Sequence, residues 1–149
     1  MTPVQAESVK IRRVNRLDID SIISLHKKIG LKESSIRNMV SLDFGGPQDF
    51  SLIALIDKKV VGVIIARLLY VYIPVIELCL VNGIIVDPDY RRYKIGTKLV
   101  HELFEYCRAE KINLVRALAE DTNTELIKFE ESLGFRPSRI ISWDKFLDA

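Results

Sequence analysis

Only two cysteines, Cys79 and Cys107, occur in the 149 residues. That is too few for a disulfide framework, and both lie among apolar neighbours, so buried free thiols are expected rather than a bridge or a metal site. A reducing, cytoplasmic setting fits them. A membrane helix is also missing. The most apolar region, Val60 to Val86, is interrupted by Arg67, Pro74 and Glu77, so it lacks the roughly 20 apolar residues a span requires. The first residues, "MTPVQAESVKIRR", hold no apolar core of a secretory signal. Neither charge sign dominates: 22 Lys and Arg against 20 Asp and Glu leave +2, too little to draw a polyanion by bulk charge. Repeats, low-complexity tracts and inter-domain linkers are absent. What is present is a 48% apolar, 28% charged chain, long enough to bury a core as one domain, residues 1–149.

The local patterns give an order of elements. "VKIRRV" (Val9–Val14) alternates as a strand does. "DIDSIISLHKKIG" reads as a helix with Asp18 as N-cap, an apolar stripe at Ile19, Ile22, Ile23 and Leu25, and Gly30 as C-terminal cap. A second short helix is expected over Ser34 to Ser41. "LDFGGPQDF" (Leu42–Phe50) is a loop. "SLIALI" and "VVGVIIARLL" form strands around the turn Asp57-Lys58-Lys59, and a third strand runs from about Val75 to Val86. Gly83 within it marks a bulge or a close backbone approach. Helical spacing returns from Thr97 to about Ala109. "NLVRALA" is a strand, Thr122-x-x-Glu125 a capping box opening a helix to Leu133, and "RIISWDKF" a last strand. The order β-α-α-β-β-β-α-β-α-β is that of an α+β or α/β domain.

One stretch, "DPDYRRYKIGTKLV" (Asp87–Val100), runs against electrostatics. Arg91, Arg92 and Lys94 crowd the start of a helix, where the dipole is already positive. A bound anion resolves the conflict, because free amides at a helix start bind phosphates and the cations add charge-assisted contacts. A solvated charge run, or an RNA-contacting patch with Tyr93 stacking, are the alternatives; the glycine and helix directly after the cluster favour phosphate.

With "EDTNTELIKFEESLGF" downstream, the chain resembles the GNAT superfamily of acetyl-CoA-dependent N-acetyltransferases. "IIVDPDYRRYKIGTKLVHELFEYC" is similar to that family's strand, pyrophosphate loop and helix, whose loop reads R/Q-x-x-G-x-G/A. Arg91 matches its first position and Gly96 its last. In "NTELIKFEESLGF", Asn123, Gly134 and Phe135 match the family's N-x-x-A-x-x-L-Y-x-K-x-G-F. The resemblance implies a mixed, mostly antiparallel sheet of six to seven strands with about four helices, often as a homodimer. It implies acetyl-CoA as co-substrate and an amine acceptor, a small molecule or a protein amino group. Main-chain groups of Ile84, Ile85 and Val86 would pair with the pantetheine arm. The loop Arg91, Arg92, Tyr93, Lys94, Ile95, Gly96 and Thr97 would hold the pyrophosphate, Asn123 would touch the CoA arm, and Asn82-Gly83 is the place for the family's bulge. No metal is implied.

Three positions depart from that pattern. Lys94 replaces the loop's first glycine, Glu130 stands where many members carry a proton-donating tyrosine, and Leu118 stands where some carry a glutamate. Glu77, a carboxylate within apolar "PVIELCL", is then the candidate general base, its acidity tuned by burial; the alternative is an exposed strand end without a role. Glu130 reads as a solvated helix residue, His26 and His101 as partly exposed surface histidines, and Trp143 as a core or dimer contact. Phe44, Phe50, Asp43 and Asp49 of the loop are candidates for lining the acceptor site, against an ordinary surface loop with incidental acids. A catalytically silent acyl-CoA sensor and a nucleic-acid module are the rival classes.

Overall fold

The computed structural model describes residues 8–32, 34–35, 38 and 42–148. The chain packs as two units, 1–118 and 119–149.

In the first unit, β1 (Lys10–Arg13), β2 (Leu52–Ile56), β3 (Lys59–Val71), β4 (Ile76–Val86) and β5 (Val115–Ala117) form one sheet in sequence order. The first four run antiparallel, and β5 joins β4 in parallel. Helix α1 (Ile19–Lys28) precedes β2, and α2 (Ile95–Ala109) bridges β4 to β5. A parallel neighbour needs such a crossover. Among the described residues the sheet has five strands, against the six to seven implied by resemblance.

A helix lies on each face of the sheet, so Val61 to Ala66 are buried without interruption. On one face Val63, Ile65 and Ile53 pack with Ile22 and Leu25 of α1 and with Phe44. On the other face α2 brings Leu99, Val100, Leu103 and Cys107 to the sheet, all buried. Each such side chain contributes about 1.5–3 kcal/mol by leaving water.

Local chemistry sets the boundaries. Helix α1 ends in a Schellman motif: Gly30 takes φ +84°, and the Leu31 N–H reaches the His26 carbonyl at 3.2 Å. Asp18 precedes α1 but does not cap it with its side chain. Its carboxylate is taken by Arg12 at 2.9 Å and by the Asn15 N–H at 2.8 Å, and the Arg12 hydrogen bond holds it below the ordinary carboxylate range. The β2–β3 turn is a two-residue hairpin with Asp57 and Lys58 both at positive φ. Ser34, Ser35 and Asn38 are helical; the rest of the helix expected over 34–41 lies outside the described residues.

In the second unit, α3 (Thr124–Ser132) is capped by Asn123, whose side chain accepts from the Leu126 N–H at 3.1 Å. Asn123, not Thr122, is therefore the cap. Gly134 at φ +92° ends the helix, and the Phe135 N–H closes on the Glu130 carbonyl at 3.1 Å. Glycine followed by an apolar residue is what this ending requires. The strand expected at Arg139–Phe146 is not formed. Its apolar residues do not alternate cleanly, and no strand pairs with it among the described residues. Trp143 is 87% exposed, so it is not a core residue.

Candidate functional site

The site begins as a change in how β4 is paired. Cys79, Leu80 and Val81 are held on both edges, by β3 and by β5. At Asn82 the ladder breaks: Ala66 pairs with Val81 and Ile65 with Gly83, leaving Asn82 opposite nothing. This is the bulge, where the sequence places it. From there Gly83, Ile84, Ile85 and Val86 pair with β3 alone, since β5 reaches no further than the partner of Val81. The outer edge of Asn82–Val86 thus carries main-chain groups without a ladder partner among the described residues. Such groups seek water or a ligand.

The strand then runs into a 3-10 turn, Pro88–Tyr93, and α2. Asp87 organises the junction. It is 1% exposed, its main chain ties to Val61 at 2.8 Å, and its carboxylate caps the turn through the Asp89 N–H at 3.0 Å. Lys28 of α1 reaches both Asp87, at 2.8 Å, and Asp89, at 2.9 Å. Burial alone would push the Asp87 carboxyl up. The Lys28 hydrogen bond, with the Asp89 N–H and the charges of Lys28 and Lys59, outweighs it and holds the carboxyl below its ordinary value. The Lys28 ammonium is raised in return, by Asp87 first and then Asp89.

Arg91, Arg92 and Lys94 are exposed on this turn. The Arg92 guanidinium lies 5.6 Å from the Tyr93 ring centre, and the Tyr90 and Tyr93 rings are 5.9 Å apart. Lys94 adopts the left-handed conformation, φ 56° and ψ 38°, which costs a non-glycine residue about 1–2 kcal/mol. This is the conformation a glycine would supply there. No side chain caps the start of α2. Gly96 is helical, so backbone freedom does not account for it.

Gly62 positions the whole unit. A Cβ there would lie 2.8 Å from Ile95 Cγ2 and 3.3 Å from the Ile85 carbonyl. Only glycine lets the first turn of α2 sit this close to β3. Gly83 has no such role, since nothing lies within 4 Å of its Cβ position.

Several expected site residues fall elsewhere. Glu77 is exposed, not buried, and pairs across the ladder with Tyr70, whose phenol it holds above its ordinary value by a hydrogen bond. Phe44 and Phe50 are core residues at 2% and 5% exposure. Asp49 is likewise buried, its carboxylate accepting the Gly45 and Ser51 N–H groups. Asp43 alone of the four is open, facing Arg16 at 3.5 Å. His26 is buried, its Nδ1 2.7 Å from the Ile22 carbonyl, whereas His101 is exposed. Glu130 is half-buried rather than solvated, and burial pushes its carboxyl up. Both cysteines are free and buried, as expected. No group of His, Cys, Asp and Glu among the described residues could hold a metal ion, and no helix among them is long and apolar enough to cross a membrane.

The Acetyltransferase (GNAT) family model matches residues 19–135. The chain therefore belongs to this family, one of acyltransferases. An uncharacterized N-acetyltransferase of Methanocaldococcus jannaschii is 31% identical over 65 residues, covering 44% of this chain and 29% of the relative. Among solved structures, AAC(6')-Iy in complex with the bisubstrate analogue CoA-S-monomethyl-acetylneamine superposes with a TM-score of 0.77 at 19% identity, covering 93% of this chain and 99% of that one. The aminoglycoside antibiotic 6'-N-acetyltransferase AAC(6')-Ih from Acinetobacter baumannii superposes at 0.75 with 20% identity, covering 94% and 99%. At such identities these two speak for the fold.

Sequence reasoning found the bulge and the cationic turn but missed Gly62, Lys28 and the carboxylate of Asp87. Asp-Pro after an apolar strand is a turn signal that could have flagged the Asp87 cap. Lys28 lies 59 residues from its partner, and no local pattern reports such a pair.

Proposed function

We propose that the protein is an N-acetyltransferase that moves an acetyl group from acetyl-CoA to an amine by direct attack within a ternary complex. The observation that carries this reading is the continuity of the open β4 edge with the cationic turn. Pantetheine is an amide chain and can hydrogen-bond like a strand to the main chain of Ile84, Ile85 and Val86. The pyrophosphate would then meet the turn and the uncapped α2 start, with Arg91, Arg92, Lys94 and the amides of Ile95, Gly96 and Thr97 around it. Tyr93 braces Arg92, and Asn123 is assigned to the CoA arm. A solved structure of the same fold holds a CoA-based bisubstrate analogue, and the sequence relative carries an N-acetyltransferase name, which supports the same choice.

The thioester would lie near the bulge. An N–H freed there can stabilise the oxyanion as the amine attacks. A lysine-like ammonium must first lose a proton, at about 4–5 kcal/mol near pH 7. On this arrangement Glu77 is too far to accept it: it lies five steps along the strand from Asn82, roughly 16 Å. We assign the proton to solvent at the open edge instead. CoA thiolate, of pKa about 8–9, leaves without an obligatory acid, so the absence of tyrosine at Glu130 slows the reaction rather than forbidding it. The aminoglycoside acetyltransferases of the same fold make a polyamine sugar one acceptor to assay among several.

Acetyl-CoA at 100 times its dissociation constant should stabilise the protein by about 2.7 kcal/mol, and CoA should be released with an amine from a panel. An unmoved melting temperature would overturn the cofactor assignment. Stabilisation without CoA release from any amine would favour an acyl-CoA sensor.

A further inference from the structure

Lys28 belongs to α1, yet its ammonium lies in the junction between β4 and the cationic turn. Two carboxylates stand there, Asp87 buried and Asp89 exposed, at 2.8 and 2.9 Å from it. Lys59 is the other cation within reach, at 3.8 Å from Asp87 and with its ammonium 5.2 Å from the Tyr90 ring centre. The junction therefore holds two negative and two positive groups. Its partners also fix geometry. Asp87 caps the turn through the Asp89 N–H, its own carbonyl accepts the Tyr90 N–H at 2.9 Å, and its N–H is tied to Val61. Val61 is itself the extra residue in the β2–β3 ladder, where Ala54 pairs with Gly62 and Leu55 with Val60.

We propose that Lys28 is a positioning residue for the cofactor: it clamps Asp87 and Asp89 so that the turn presents its cations, and it cancels two carboxylates that would otherwise repel the bound phosphates. This rests on the reading that the turn holds the CoA pyrophosphate. It adds a residue from a helix remote in sequence, which neither the loop pattern nor the family match assigns. A buried carboxylate stripped of its hydrogen-bonded cation must find another partner or take up a proton. Protonation weakens the acceptor that holds the Asp89 N–H, and a swing toward another partner competes with it; both loosen the turn.

The test uses the full chain. Lys28→Ala should raise the acetyl-CoA dissociation constant about tenfold or more and raise its KM in parallel, while kcat stays within about threefold. The loss should shrink as salt rises, because part of it is charge. Lys28→Arg should recover most of the affinity, since a guanidinium can serve both carboxylates. Adding Asp89→Asn to Lys28→Ala should recover part of it by removing one repelling charge. Where Lys28→Ala does not fold, Lys28→Gln keeps a donor toward Asp87 without the charge and should show the salt-sensitive part of the loss. Unchanged affinity in folded Lys28→Ala would overturn the proposal. So would a fall in kcat at unchanged KM, or no rescue by arginine. Wild-type protein that fails to bind acetyl-CoA would instead overturn the pyrophosphate reading, and the two failures are separable in one titration.

Discussion

Strand β4 has two halves with opposite duties. From Cys79 to Val81 it is paired on both edges, and Leu78, Cys79 and Val81 are buried. At Asn82 it is paired on neither edge and from Gly83 to Val86 on one, and none of these five is fully buried. The first half spends its hydrogen bonds on the fold. The second withholds them, and a buried or half-buried peptide group left unpaired costs free energy until something accepts it. One residue, Asn82, makes the transition. The β5 ladder stops at Val81, next to the bulge, while the β3 ladder takes in the extra residue and resumes at Gly83.

The sharpest way to break this contrast is Gly96→Val. Valine is no worse than glycine within a helix, so α2 should form and the closed half should be untouched. The branched side chain would occupy the space in front of the helix start. Acetyl-CoA affinity should fall at least 100-fold, with the unliganded melting temperature within a few degrees of wild type. Calorimetric titration checks it; retained affinity would put the phosphates elsewhere.

Two glycines then separate packing from access. At Gly62 an added methyl meets Ile95 and the Ile85 carbonyl, whereas at Gly83 it meets nothing within 4 Å. Gly62→Ala should destabilise by about 1–3 kcal/mol, since the carbonyl cannot yield as a side chain can. It should also weaken acetyl-CoA, because α2 lifts where the turn joins it. Gly83→Ala should leave unfolding midpoints in urea nearly unchanged. Equal costs at the two positions would mean that α2 is not seated on β3 in the way Ile95 indicates.

The difference between the halves also governs what could be read from sequence. The open half is local: a strand, Asp-Pro, a cationic turn and a glycine lie within about fifteen residues, and each carries its own backbone signal. The bulge at Asn82-Gly83 and the α2 helix were legible for that reason. What went wrong depended on distant partners. Glu77 reads either as buried between apolar neighbours or as an exposed strand end; it is exposed, in β4 beyond the reach of β5 and opposite Tyr70. His26 reads as a surface residue until α1 turns that position inward. Phe44, Phe50 and Asp49 sit in a glycine-rich loop yet enter the core, and Asp49 is satisfied by amides of its own loop. Arg139–Phe146 has strand-forming residues but pairs with no strand among the described residues, and propensity cannot supply a partner.

Lys94 gives a smaller effect with two signs. Its left-handed backbone disfavours any residue with a Cβ, and its charge favours phosphate. Lys94→Gly removes the strain and the charge together; Lys94→Ala removes only the charge. Both should bind acetyl-CoA more weakly, by about 0.5–2 kcal/mol, and the deficit should fade between low and high salt. Lys94→Gly should unfold at a temperature equal to or above that of Lys94→Ala. Tighter binding by Lys94→Gly would show that shape at this position outweighs charge.

The smallest effect expected is at Glu77, and it is the most direct check on where chemistry occurs. Glu77 lies in the same strand as the bulge, but on the far side of the doubly paired stretch Cys79–Val81. It is exposed, its partner is the Tyr70 phenol, and about 16 Å of strand separates it from Asn82. A base must come within hydrogen-bond reach of its proton or one water away. Glu77→Gln keeps the shape, so the Tyr70 contact can persist as a neutral hydrogen bond. Its kcat/KM should therefore stay within about twofold of wild type at every pH assayed, with the Tyr70 phenol titrating lower once the carboxylate is gone. A loss of roughly 100-fold, steepest at low pH, would make Glu77 the general base after all. The thioester would then have to lie beside the paired half of β4, and the open edge would be left to hold only the remainder of the cofactor.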